Sequence, residues 1–144
     1  MQLLTLFALL CLMGPVLSAG APRHPCRQRI LEAKGKCNDQ VPRKRFGFNF
    51  ARKRCEQFYE ACRTNRNNFP DLRNCLETCN STSRCLIPPT GAGRGNVESY
   101  VFSVEKMSCL RQRVKVLKNG PKVNRFKTLA DCENECRPIL IVDI

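Results

Sequence analysis

FPDLRNCLETC, residues Phe69 to Cys79, returns as FKTLADCENEC, residues Phe126 to Cys136. Phe, Leu and both cysteines keep one register at an offset of 57 residues, and self-similarity at a fixed offset marks a module used twice. Asp71 and Thr128 are N-cap residue types at the start of each stretch, and Thr128-x-x-Asp131 has the form of a capping box. Both stretches therefore read as short helices. Cysteines four apart share a helix face, so each of the two can tie the helix to a different part of its module.

Upstream, Phe46-x-Phe48 before Cys55 matches Tyr100-x-Phe102 before Cys109 in identical local spacing. Arg45 to Phe50 alternates through Phe46, Phe48 and Phe50, turns at Ala51 to Arg54, and returns from Glu56 to Ala61. That pattern is a β-hairpin. Each copy reads as a loop, an aromatic strand, a basic turn, a second strand and a closing helix. Length differences are confined to the segments between these anchors.

Of eleven cysteines, Cys11 lies in the opening run MQLLTLFALLCLMGPVLSA. This run is uncharged and leucine-rich, and Gly14 and Pro15 interrupt it too early for a bilayer span. It reads as a secretory signal over residues 1–18, cleaved after Ser18 or alternatively after Ala19 or Gly20. The even number of cysteines that remains, in an oxidising compartment, points to five disulfides in a soluble, secreted chain. A metal site is not expected, because the lone His24 and the secretory context argue against zinc.

A net charge of +13 favours acidic partners: sulfated polysaccharide, anionic lipid or an acidic protein face. Nucleic acid is the least suited, since no nucleic-acid motif is present. An enzyme is excluded by the lack of a Ser-His-Asp set, a metal cluster or a phosphate-binding glycine loop. No cofactor is implied.

RFGFN (45–49), CEQFYEACRTNRNNF (55–69) and CLETC (75–79) together resemble the Kunitz, or pancreatic trypsin inhibitor, family. The likeness runs from Cys26 to Cys79 and more loosely from Cys85 to Cys136, where Cys-Leu-x-Pro-Pro, Thr90-Gly91 and Asn124-Arg125-Phe126 carry it. It implies a small disulfide-rich α+β fold: two tandem Kunitz modules, each a twisted β-hairpin plus a short C-terminal helix. Module 1 spans 26–79, a linker 80–84, an atypical module 2 spans 85–136, and an apolar tail 137–144. The implied bridges are Cys26–Cys79, Cys37–Cys62 and Cys55–Cys75, then Cys85–Cys136 and Cys109–Cys132. Module 2 lacks the family's second and fourth cysteines, with Gly93 standing at the former position, so its loop is expected to be looser.

Family members present a rigid, substrate-like loop, and preorganisation supplies affinity. In this resemblance the pocket residue of module 1 is Asn38, followed by Asp39, where a trypsin-like pocket favours a basic side chain. Glu60-Ala61 replaces the family's glycine pair. Module 2 offers Arg94-Gly95 without the clamp, and Arg94 reads either as a pocket residue or as a solvated arginine. Arg111, Arg113, Lys115, Lys118, Lys122 and Arg125 crowd the second hairpin, either as a solvated strand face or as an anion-binding exosite. Arg43 to Arg45 and Arg52 to Arg54 carry the same two readings. Asn80-Ser81-Thr82 is a glycosylation sequon. The tail, with Ile139 to Val142, packs back on the module or meets a partner protein.

The layout also resembles ixolaris-like tick salivary inhibitors of the tissue-factor pathway. That likeness implies a monomeric anticoagulant that acts on factor VIIa bound to tissue factor. Factor X or Xa would be the scaffold, held through a basic, heparin-binding exosite. The alternatives are an ion-channel-blocking Kunitz toxin, for which Arg23, Arg27 and Arg29 would serve, or a glycosaminoglycan-binding protein without a protease target.

Overall fold

A computed structural model gives the fold and describes residues 23–32, 41–89, 93, 95–118 and 120–142. Two units with the same element order follow one another. In the first, a 3₁₀ turn at Pro25–Arg27 precedes strands β1 (Lys44–Asn49) and β2 (Arg54–Tyr59) and helix α1 (Leu72–Cys79). In the second, a 3₁₀ turn at Arg84–Leu86 precedes β3 (Val97–Ser103), β4 (Ser108–Val114) and α2 (Leu129–Cys136).

Each strand pair is an antiparallel hairpin, with Phe48 opposite Cys55 and Phe102 opposite Cys109. The turns close through a left-handed residue, Lys53 at φ 55° and Met107 at φ 50°. Phe50, which the alternation assigns to the strand, lies in the first turn and is half exposed. Two cations lie over its ring, Lys53 at 3.7 Å and Arg27 at 5.7 Å.

The helices begin where their caps place them. Asp71 accepts from the Asn74 amide and Thr128 from the Asp131 amide, which satisfies donors that a helix start leaves open. Four described disulfides, Cys26–Cys79, Cys55–Cys75, Cys85–Cys136 and Cys109–Cys132, pair as the family resemblance implies. One cysteine of each helix grips its hairpin and the other its 3₁₀ turn. Cys62 is also disulfide-bonded, and Cys37 lies outside the described residues. Each bridge stabilises a unit of this size by roughly 2–4 kcal/mol.

Phe58, Phe102 and Phe126 are about 1% exposed. Gly47 shows how closely the 3₁₀ segment covers the first hairpin, because a Cβ there would lie 2.7 Å from Ile30 Cγ1 and 3.2 Å from the Phe58 ring. The phenylalanine three residues before each helix also pairs with its hairpin. Phe46 and Phe69 exchange two backbone hydrogen bonds (3.0 and 2.8 Å), and so do Tyr100 and Phe126 (2.9 and 2.7 Å).

The apolar segment after α2 packs, but on the other unit. The Gln57 amide of β2 donates to the Ile139 carbonyl, and the Ile141 amide donates to the Gln57 carbonyl, both at 2.8 Å. Leu140 stands opposite Gln57 in a parallel bridge.

Candidate inhibitory loops and basic surface

Asn38 and Asp39 lie outside the described residues, so the structure speaks to the stem of the first loop. The Glu60 amide donates to the Arg43 carbonyl (2.9 Å) and the Ala61 amide to the Leu31 carbonyl (3.2 Å). Both sides of the loop are thus fastened to the strand end that leads to Cys62. Glu60 has a task there that a glycine could not perform. Its carboxylate accepts from Arg45 Nε at 3.1 Å and from Asn68 Nδ2 at 3.4 Å, joining β1, the end of β2 and the segment before α1.

Beneath the stem, Asn67 is fully buried. Its side chain accepts from the Phe48 amide (2.7 Å) and donates to the Phe48 and Gln28 carbonyls (3.0 and 2.7 Å). Asn124 repeats this in the second unit, accepting from Phe102 and donating to the Phe102 and Ile87 carbonyls. Glu56 is buried as well, held by Asn49 (2.9 Å) and Arg52 (3.0 Å). The burial of Asn67, Asn124 and Glu56 has no signature in the sequence, because a buried polar residue leaves no periodic signal.

In the second loop, Arg94 lies outside the described residues while Gly93 and Gly95 are within them. A Cβ at Gly95 would meet the Val114 carbonyl carbon at 1.9 Å and the Lys115 nitrogen at 2.3 Å. The loop backbone therefore presses directly on the end of β4, a contact only glycine permits.

The basic hairpin divides. Arg111, Arg113, Lys115, Lys118 and Lys122 are exposed. Arg111 is paired with Glu98, whose carboxylate also accepts from the Tyr100 hydroxyl at 2.6 Å. That hydroxyl first, and Arg111 second, hold the Glu98 carboxyl below its ordinary range, while Glu98 raises the Tyr100 phenol. Arg125 does not belong to the exposed set. It is 5% exposed, and its guanidinium donates to Ser99 Oγ at 2.8 Å. The reason is local, since the adjacent Phe126 pairs with Tyr100 of β3 and draws the segment against the hairpin.

In the first unit, Arg43 and Lys44 face solvent, whereas Arg45 and Arg54 are partly buried in structural contacts. Asn80 caps α1 and is half-buried, with Ser81 and Thr82 exposed beside it. Among the described residues, no group of three His, Cys, Asp or Glu side chains could hold a metal, and no helix is long and apolar enough to cross a membrane.

The profile of the Kunitz/bovine pancreatic trypsin inhibitor domain matches residues 25–80. Haemaphysalin of Haemaphysalis longicornis is 36% identical over 119 residues, covering 78% of this chain and 72% of that protein. The chain belongs to the Kunitz family. Inter-alpha-trypsin inhibitor of Capra hircus is 33% identical over 96 residues (65% of this chain, 76% of that protein). Anticoagulant protein rhipilin-2 of Rhipicephalus haemaphysaloides is 28% identical over 106 residues (65% and 52%).

As a Kunitz protein the chain is a protease inhibitor and not an enzyme. Its first unit carries the Kunitz frame with an asymmetric loop stem, in which Glu60 latches β1. Its second unit repeats the hairpin, helix, two disulfides and buried asparagine of the first.

Proposed function

We propose that this Kunitz protein is secreted and inhibits a serine protease of blood coagulation through two Kunitz modules of unequal kind. The observation that carries this reading is the contrast between the two loop stems. The first is tied down at Glu60, Ala61 and the bonded Cys62, while the second relies on the close packing of Gly95. A fastened loop loses little entropy on binding, which favours pocket engagement by module 1. Its pocket residue is nevertheless Asn38, so trypsin-like proteases are bound through contacts beyond the pocket.

The finer reading is inhibition of factor VIIa with tissue factor, with factor X or Xa as scaffold. The family layout and the anticoagulant named among the relatives support it. Arg111, Arg113, Lys115, Lys118 and Lys122 form the exosite in this scheme, and they suit an acidic protein face or a heparin-like chain. Arg94 and Gly95 form the second loop, and Asn80 is the glycan acceptor.

The test is inhibition of factor VIIa–tissue factor with and without active-site-blocked factor Xa, with trypsin as control. Strong inhibition only in the presence of the scaffold is the expected result. No inhibition in any arm sinks the coagulation reading and brings channel block and polysaccharide binding forward.

A further inference from the structure

We infer that residues Pro138 to Val142 are a strap that helps lock the two units into one rigid body by completing the first unit's sheet. In the β1–β2 hairpin, Phe46 and Gln57 stand opposite each other, and the backbone groups of both point away from the pair. Those of Phe46 are taken by Phe69. Those of Gln57 would form an open sheet edge, which is a template for another strand. The segment after α2 fills it with two 2.8 Å hydrogen bonds in parallel register, a strand addition made within one chain. Ile141 is half-buried and shares the wall of a cleft with Ile30, Phe48 and Phe50, while Ile139 and Val142 stay exposed, so the backbone hydrogen bonds carry the attachment.

Three further contacts cross the same seam. Arg54 of β2 donates to the Asn134 carbonyl (3.0 Å) and to the Arg137 carbonyl at the C-terminal end of α2. Carbonyls there lack helical partners and attract a cation. Arg73 of α1 pairs with Glu105 of the second hairpin turn. The buried apolar residues of both units form one continuous cluster, from Phe46 and Leu76 to Phe102 and Phe126. The consequence is that the two loop-bearing ends hold a fixed mutual orientation, to which a segment outside both cysteine frames contributes beside the shared core.

The experiment compares the full chain with a chain ended at Arg137 and with Ile141→Pro, which lacks the donor to Gln57. Amide hydrogen exchange is read at Gln57, with Phe46 and Tyr100 as internal controls. The expected result is a roughly tenfold or greater loss of Gln57 protection in both variants, with Phe46 and Tyr100 unchanged. Residual dipolar couplings on the unmodified chain are expected to fit one alignment tensor for both units. Gln57 exchange as fast in the full chain as in the variants, or two distinct tensors in the full chain, overturns the strap. Where a variant fails to fold, Gln57 exchange in the full chain roughly tenfold or more faster than that of Phe46 overturns the strap by itself, since one tensor also follows from the shared core.

Discussion

Asn67 and Asn124 make the same three hydrogen bonds in the two units, each spanning both backbone groups of the phenylalanine that faces a hairpin cysteine. Each also reaches the residue just past the 3₁₀ turn of its unit, Gln28 or Ile87. Asn67→Ala and Asn124→Ala therefore strand buried backbone donors and acceptors. Each is expected to cost about 3 kcal/mol in urea unfolding. A loss below about 1 kcal/mol at either site would show that water replaces the side chain there.

Glu56 and Arg52 differ in what their loss leaves behind. Glu56 is fully buried and answers both Asn49 and Arg52, whereas the Arg52 side chain is 62% exposed. Glu56→Ala removes the buried charge itself and is expected to destabilise by about 2 kcal/mol, whereas Arg52→Ala leaves a buried carboxylate with Asn49 alone and is expected to cost more, about 3 kcal/mol. Equal losses in chemical denaturation would contradict this division.

Gly95 is the packing contact that fastens the second loop to β4. Gly95→Ala places a methyl where Val114 and Lys115 backbone atoms already lie, so the loop must lift. The expected signature is a displacement of the Val114 and Lys115 amide resonances with a stability loss of about 1–3 kcal/mol. Unchanged resonances at both amides would mean that the loop does not rest there.

Glu98 links the second hairpin to acid stability. Its carboxyl is held low by the Tyr100 hydroxyl and then by Arg111. The stabilisation is therefore complete above the ordinary carboxylate range and is lost as pH falls through the depressed folded value. Tyr100→Phe removes the largest cause, and the Glu98 titration in carbon-detected NMR is expected to move up toward the ordinary range. A midpoint that stays put would assign the depression to Arg111 alone.

Most of the frame was legible because it depends on local, periodic or capped features. Asp71 and Thr128 start helices as N-caps do, and Phe46 and Phe48 mark the hairpin. Four of the family's disulfides form as the resemblance implies. Other features were not legible, because they depend on contacts between distant residues. Nothing in Ile139-Leu140-Ile141 names Gln57 as its partner, since a strand's apolar run does not state which edge it will join. Phe50 continued an alternation that the turn had already ended. Arg125 continued a run of cations, although its neighbour Phe126 belongs to the core.

Arg125 and Lys115 now separate two roles that one run of charge had merged. Lys115 is exposed beyond the end of β4, while Arg125 is buried against Ser99. Lys115→Glu is expected to leave the melting temperature within a degree or two, as exposed substitutions do, and to lower the salt needed for elution from heparin. Arg125→Ala removes a buried charge-assisted hydrogen bond of about 2 kcal/mol and is expected to lower the melting temperature by roughly 5–10 °C. Its elution is expected to stay near wild type below that transition, because the side chain is not at the surface. Heparin elution that drops equally for both variants, at a temperature where both are folded, would return Arg125 to the exposed face and contradict its burial.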